Sequence, residues 1–546
     1  MAYDFTTDGS RLLTSQGQPA ANFAPSAAAL FWTPGETASP GGLRLTFRHL
    51  GRVHTVDLDI QSGSLLQQLC RAVPTCRILL PARREAVENY LLELAAAHPR
   101  PPGLYFPRTG LYRLPESGTW VYACGSEVLG LPQGTDFLCA PEIAHLRLAA
   151  DPALSSGTAA RELLRVLEQD PAIYFPLWSF TLLGMLHSAL SRLDAATFPV
   201  CALTGSPGFG KTTLVRRFVL LFQDTGAPEQ TLGELDAMST QAYLRQSLSA
   251  ARDRILLLDD MTAAASPSEA AKRRAAVQYA VRFAANGSVR GAMPGGTAAV
   301  PQCQAGLLFT GEYALSEPSL VSRLLWIQLD HQMQRGRPED RVLAATALRH
   351  FLLWLLPQLE DALANLQSLL ADRNADSNPR QSKGQLLSLW VLDLFFTFCR
   401  ETGTVTEHYQ AEALHYVRET LDAMAARQAQ FLARADCRCP RGNLSWYILE
   451  AYRHGRFQTV FSRSRLVGDA CLVQDDMLYI RSATLCAVLR EWGPNPDLTQ
   501  AMLGKQLKRL GLISVGKELR TAGKKIHGRR YYQLSFQALR QTVRSY

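Results

Sequence analysis

The chain has 546 residues, 47% of them apolar, which is enough for several buried cores and, at roughly 100–200 residues per domain, predicts three or four units. A formal charge of +9 favours a polyanionic partner, either nucleic acid or an anionic membrane surface. The 11 cysteines form no CxxC pair, and "CRC" (437–439) and "CRAVPTC" (70–76) lack further ligands at zinc spacing, which argues against a zinc ribbon or disulfide scaffold and for ordinary thiols in a reducing cytoplasm.

"MAYDFTTDGSRLL" lacks the basic-then-apolar pattern of a signal peptide, so no export is expected. Residues 1–145 alternate short apolar runs with Gly/Pro/Ser turns, as in "GLRLTFRHLGRVHTVDLDI", and predict an α+β domain of unassigned role. Within it "VDLDI" (56–60) imitates a paired-carboxylate metal site, but alternation predicts that Asp57 and Asp59 merely share the exposed strand face. "IYFPLWSFTLLGMLHSAL" (173–190) approaches membrane-spanning length; Pro176, His187 and several small polar residues make it a buried helix instead.

From 146 to 335 strands and helices alternate, which predicts a mostly parallel sheet. The strand "PVCALTG" runs into "GSPGFGKT" (205–212), which fits G-x-x-x-x-G-K-[ST]. Gly205, Gly208 and Gly210 let backbone N–H groups turn inward around phosphates; Ser206, Pro207 and Phe209 complete the loop, and the helix starting near Lys211, Thr212 and Thr213 offers its positive end. Lys211 is expected to reach the β- and γ-phosphates of ATP and Thr212 to ligate Mg2+. A second strand, "RILLLDDM", ends in Asp259, the expected magnesium partner, and Asp260, the expected base for an attacking water. A third, "AGLLFTGE", ends in Thr310 and Glu312, either of which is a candidate γ-phosphate sensor. Arg323 opens a further strand in "SRLLWIQLD" and is a candidate finger that stabilises transition-state charge.

"GSPGFGKTT", "LLLDDMT", "LLFTGE" and "SLVSRLLWIQLD", in this order, resemble the superfamily 3 helicases of small DNA viruses. They are more similar to the AAA+ helicase-type ATPases encoded beside or fused to primases in phages, plasmids and integrative elements, over about residues 160–335. "FTGE" stands where the viral enzymes have an asparagine motif, and "NGSVRGA" (286–292) belongs with the mobile-element branch. The resemblance implies an α/β P-loop NTPase core of the ASCE, superfamily 3-like kind, acting as a ring, a hexamer, with Arg323 reaching the neighbouring subunit's site. It also implies that "FAANGSVRGAMPGG", with Arg282 and Arg290, is the loop that grips single-stranded DNA in a central channel, and that a primase or other replication protein is a partner.

Residues 336–436 read as a helical region, where Leu414, Val417, Leu421, Met424 and Phe431 line one helix face in too few heptads for a coiled coil. Residues 437–546 are expected to form a basic, winged-helix-like domain that binds duplex DNA through Lys505, Lys508, Arg509, Lys524, Lys525, Arg529 and Arg530. The function expected is an ATP-dependent DNA helicase or translocase in replication of a mobile element. A nucleotide-switched DNA-binding protein, such as an initiator, regulator or partition ATPase, and an antiphage defence or signalling ATPase are the alternatives, and no membrane partner is expected.

Overall fold

A computed structural model describes residues 5–35, 39–97, 103–193, 199–227, 232–261, 267–287, 302–311, 318–334, 336–371, 379–435, 444–492, 498–513 and 524–544. The fold is mixed α/β, with several sheets and a helical region. The chain divides into two compact units: Met1–Met261 with Arg273–Glu312 and Ile327–Glu419, and Thr262–Lys272 with Tyr313–Trp326 and Thr420–Tyr546.

The N-terminal part of the first unit is built on a five-stranded sheet in the order Phe137–Cys139, Gly103–Phe106, Ala24–Thr33, Ser39–His49, Arg52–Asp59. Alternating apolar residues on the long strands bury Leu43, Leu45 and Phe47 against Leu66, Leu69, Val87 and Leu91 of two helices, Leu65–Ala72 and Arg84–Ala96. The two acids of "VDLDI" do not share an exposed face. Asp57 pairs with Arg44 at 2.8 Å, whereas Asp59 is buried, because the following chain turns back over it and Gln68 bonds its backbone on both sides.

In the first unit the strands Glu234–Asp236, Arg252–Met261, Gln304–Gly311 and Val200–Thr204 lie in that order in a central sheet and pair in parallel. Burial on both faces explains the uninterrupted apolar runs "ILLL" and "GLLF". The edge strand Glu234–Asp236, only three residues long, lies outside the sequence expectation. The apolar run at 173–190 is buried, as two helices, Pro171–Met185 and His187–Leu193, whose axes turn by 80° at the break. Gly184 permits close approach there, since a Cβ would lie 2.4 Å from Ile255 Cγ1. Helix Pro379–Glu401 packs on this core through aromatic pairs such as Trp178–Phe395, 5.6 Å between centroids at 71°.

At the start of strand Arg252–Met261, Asp253 adopts a left-handed φ of 50° and is wholly buried. Its carboxylate accepts from Leu111 N at 2.8 Å and from Ser188 N and Oγ, both at 2.5 Å, with Arg252 Nε at 3.5 Å. Its carbonyl accepts from the Tyr122 hydroxyl. Three hydrogen-bond donors and the nearby Arg252 charge offset the large cost of burying this carboxyl group and join the hairpin Gly110–Arg113/Trp120–Ala123, the helix His187–Leu193 and the central strand at one residue.

The stripe predicted on the long helix Glu407–Ala435 packs within the chain: Val417, Leu421 and Met424 are buried, and Phe431 meets Trp326 edge-on at 5.0 Å. In the second unit a five-stranded sheet runs Thr459–Val460, Cys471–Gln474, Met477–Ile480, Arg529–Ser535, Lys524–Ile526, with helices Leu444–Arg453, Ser482–Trp492, Gln500–Arg509 and Phe536–Arg544.

Two expectations follow. A Cβ on Gly110, at φ +108°, would stand 2.3 Å from Asp253 Oδ2, so Gly110→Ala lowers the thermal midpoint by the equivalent of about 3 kcal/mol, while Gly35→Ala, facing open space, changes it by less than about 0.5 kcal/mol; thermal unfolding of both variants checks this. Burial pushes His187 from its ordinary 6.5 down to about 3, so the folded chain keeps it neutral while the unfolded chain takes up a proton. Stability therefore falls as pH drops from about 6.5 towards 3, and His187→Gln flattens that slope in denaturation series at several pH values.

Candidate active site

Strand Val200–Thr204 is buried along its whole length and ends at the central sheet's C-terminal edge. The chain then leaves through Gly205, whose N–H donates to Gly311 O at 3.1 Å. No larger residue fits here, because a Cβ would lie 2.8 Å from Leu329 O and 2.9 Å from Leu329 Cβ. Ser206, Pro207 and Gly208 form the exposed rim, and Phe209 N donates to Ser206 O at 3.3 Å to close the turn. Gly208 and Gly210 take positive φ of 79° and 87°, and Gly210 stands at the N-cap of helix Lys211–Phe218. Met333 N holds the far side of the loop through Phe209 O, 3.1 Å.

The Lys211 amine folds back into this loop and donates to Gly205 O at 2.8 Å and Ser206 O at 3.0 Å. Thr212, one residue on, donates its hydroxyl to Asp259, 3.0 Å to Oδ1 and 3.2 Å to Oδ2. Thr213 is exposed on the next position of the helix. Asp259 also accepts from the buried Thr310 hydroxyl at the end of the neighbouring strand. Sheet order accounts for that contact: strand Gln304–Gly311 lies between the strands carrying Asp259 and the glycine loop.

Two hydroxyls thus meet one carboxylate at the strand ends, and the Lys211 amine lies against the adjoining glycine loop. The amine and the helix N-terminal N–H groups suit phosphate oxygens, while a carboxylate with a hydroxyl suits a hard divalent cation that keeps several of its waters. Asp260 follows Asp259 in the strand, but its side chain lies outside the described residues, as do Glu312 and Arg290 altogether.

Two acids on the edge strand were not read from the sequence. Asp236 stands in parallel register with Asp259, and Glu234 forms a two-pronged ion pair with Arg216, at 2.6 and 3.0 Å. The only signal was the alternation in "GELDA", too short to distinguish from a loop.

Arg323 belongs to the second unit, half-buried in the turn before strand Leu324–Gln328, with its N–H on Leu320 O at 2.9 Å. Arg282 is exposed on helix Pro267–Asn286. Lys505 and Lys508 are exposed on helix Gln500–Arg509, and Lys525, Arg529 and Arg530 on the hairpin of strands Lys524–Ile526 and Arg529–Ser535. The side chains of Arg509 and Lys524 lie outside the described residues.

No family model matches the chain. No curated protein matches it. Among solved structures, it is similar to "SCCmec type IV Cch - active helicase", with a TM-score of 0.50 and 12% identity over 100% of this chain and 99% of that chain. At this identity the likeness is one of fold, to a protein named as an active helicase.

Proposed function

We propose that the chain is an ATP-driven DNA helicase or translocase that serves replication of a mobile genetic element. The observation that carries the reading is that Thr212 and Thr310 both bond Asp259 next to a glycine loop on which the Lys211 amine lies. The loop is the phosphate-binding loop, and ATP with Mg2+ is the ligand whose chemistry fits these donors. The full-length likeness to a protein named as an active helicase supports the choice of helicase among the uses of such a site.

In this mechanism Lys211 leaves the carbonyls of Gly205 and Ser206 for the β- and γ-phosphate oxygens, and the loop's N–H groups orient the triphosphate. Asp259 and Thr212 are the residues that would hold Mg2+, and the charge supplied by the bound ion would offset that developing on the phosphoryl oxygens. Thr310, already bonded to Asp259, senses the γ-phosphate from between the two motifs, and Asp260 orients the attacking water. Arg323 completes the site of the neighbouring subunit in a ring, taken as a hexamer, and the loop carrying Arg290 grips the strand passing through the channel. The basic C-terminal helix and hairpin bind duplex DNA through phosphates. The deciding experiment is strand displacement on a forked duplex with ATP: released strand is expected, and hydrolysis that leaves the strands annealed sinks the helicase reading in favour of a nucleotide switch.

Lys211→Ala is expected to abolish hydrolysis while DNA affinity, measured by anisotropy, stays within about twofold, because the amine contacts phosphates and the basic segment lies in the other compact unit. Arg323→Ala is expected to bind nucleotide without turning it over, and mixing it with Lys211→Ala restores activity at interfaces that pair an intact site with an intact arginine. Mixtures that exchange subunits yet never exceed the sum of the separate variants would exclude a finger acting between subunits.

A further inference from the structure

The C-terminal sheet has two faces, and they are covered differently. Leu478, Ile480 and Leu534 face the helices, together with Leu485, Leu503 and Leu507. On the other face Leu472, Tyr479, Ile526 and Tyr531 are covered by chain rather than by a helix. Strands Thr459–Val460 and Cys471–Gln474 are adjacent and parallel, so residues 461–470 must cross over the sheet to join them. Leu466 and Ala470 of this crossover are buried on the Ile526 and Tyr531 side chains.

That packing brings together two basic segments about 60 residues apart in the chain. His527, at the tip of the Lys524–Ser535 hairpin, has Nε2 3.1 Å from the Arg463 carbonyl, which can only accept. Exposed Arg463 and Arg465 of the crossover thereby join exposed Lys525, Arg529 and Arg530. The acid of the crossover, Asp469, is engaged by Arg481 at 3.0 Å and Thr484 at 3.3 Å. At the edge of the same segment Phe461 and Val467 are 72% and 73% exposed, and among the described residues Phe461 is the one phenylalanine with so open a ring. Folding does not use this ring, since Leu466 already anchors the crossover. An aromatic face beside clustered cations fits a base stacked in line with its phosphates, because every base presents a π-face.

We infer that the crossover Phe461–Val467 is a second nucleic-acid contact, a platform for the single-stranded DNA that leaves a duplex held by the hairpin, with Phe461 stacking on a base and Arg463 and Arg465 on the flanking phosphates. This rests on the DNA-directed reading above and adds to it residues outside the Lys505–Arg530 set and a substrate form, the junction between duplex and single strand.

The test uses the full chain, anisotropy on a blunt duplex and on the same duplex with an oligo-dT overhang, and a salt series. The wild type is expected to prefer the overhang substrate. Phe461→Ala weakens overhang binding at least about fivefold and leaves blunt-duplex binding alone, and Phe461→Trp restores the preference. Arg463→Ala combined with Arg465→Ala flattens the log–log salt slope on the overhang substrate by about 1.4, two single-strand phosphates at roughly 0.7 each. A 2-aminopurine in the first unpaired position is quenched by the wild type and not by Phe461→Ala. If Phe461→Ala keeps the wild-type overhang preference while the wild type separates forked strands, the platform is wrong and the helicase reading stands. If the wild type binds neither substrate, both fall.

Discussion

The buried carboxylate of Asp253 constrains everything built around it. Burial raises the pKa of this carboxyl group, and a polar group with no access to water is tolerated only where donors converge; here they come from the hairpin at Leu111 and the helix at Ser188, with the Arg252 charge beside them. Moving any of these elements leaves a charge or a donor unsatisfied, so the N-terminal hairpin, the bent apolar helix pair and the central strand are fixed to one another. Arg252 adds to the clamp by donating to Leu111 O at 2.6 Å and lying 4.4 Å from the Tyr112 ring centre.

The same strand carries Asp259 near its other end, six residues away and deep in a parallel sheet. A strand buried on both faces and anchored at its start has little freedom to slide, since a one-residue slip would turn every side chain to the opposite face. That rigidity makes it possible for Thr212 and Thr310, from two other elements, to meet one carboxylate within hydrogen-bond distance. The glycine loop depends on it too. Gly205 is pressed against Leu329 and bonded to Gly311, so the loop's position follows that of the neighbouring strands.

The C-terminal sheet follows a different rule. One face is closed by helices in the ordinary way, the other by a ten-residue crossover that anchors itself through Leu466 and Ala470 and exposes its remaining side chains. A covering loop of this kind can change its exposed residues without cost to the core, which makes it a natural place for binding groups on a fixed scaffold.

By itself the sequence determined what depends on neighbours in the chain. The buried strands were legible because apolar runs of four or five residues bounded by glycine or acid have few other uses, and the glycine loop because close backbone turns need residues without a Cβ at set spacings. The same locality placed the basic helix and hairpin near the C-terminus. Tertiary structure alone decided which side chains meet. The contact of Thr310 with Asp259 exists because the third strand inserts between the first two, the short strand with Glu234 and Asp236 exists because it has a sheet edge to join, and Asp59 is buried because the following helix folds back over it. The union of residues 461–467 with the hairpin tip likewise comes from packing across a sheet. Local spacing fixes a backbone shape within a few residues, whereas pairings between distant strands are chosen by the burial of whole faces, which no short stretch of sequence contains.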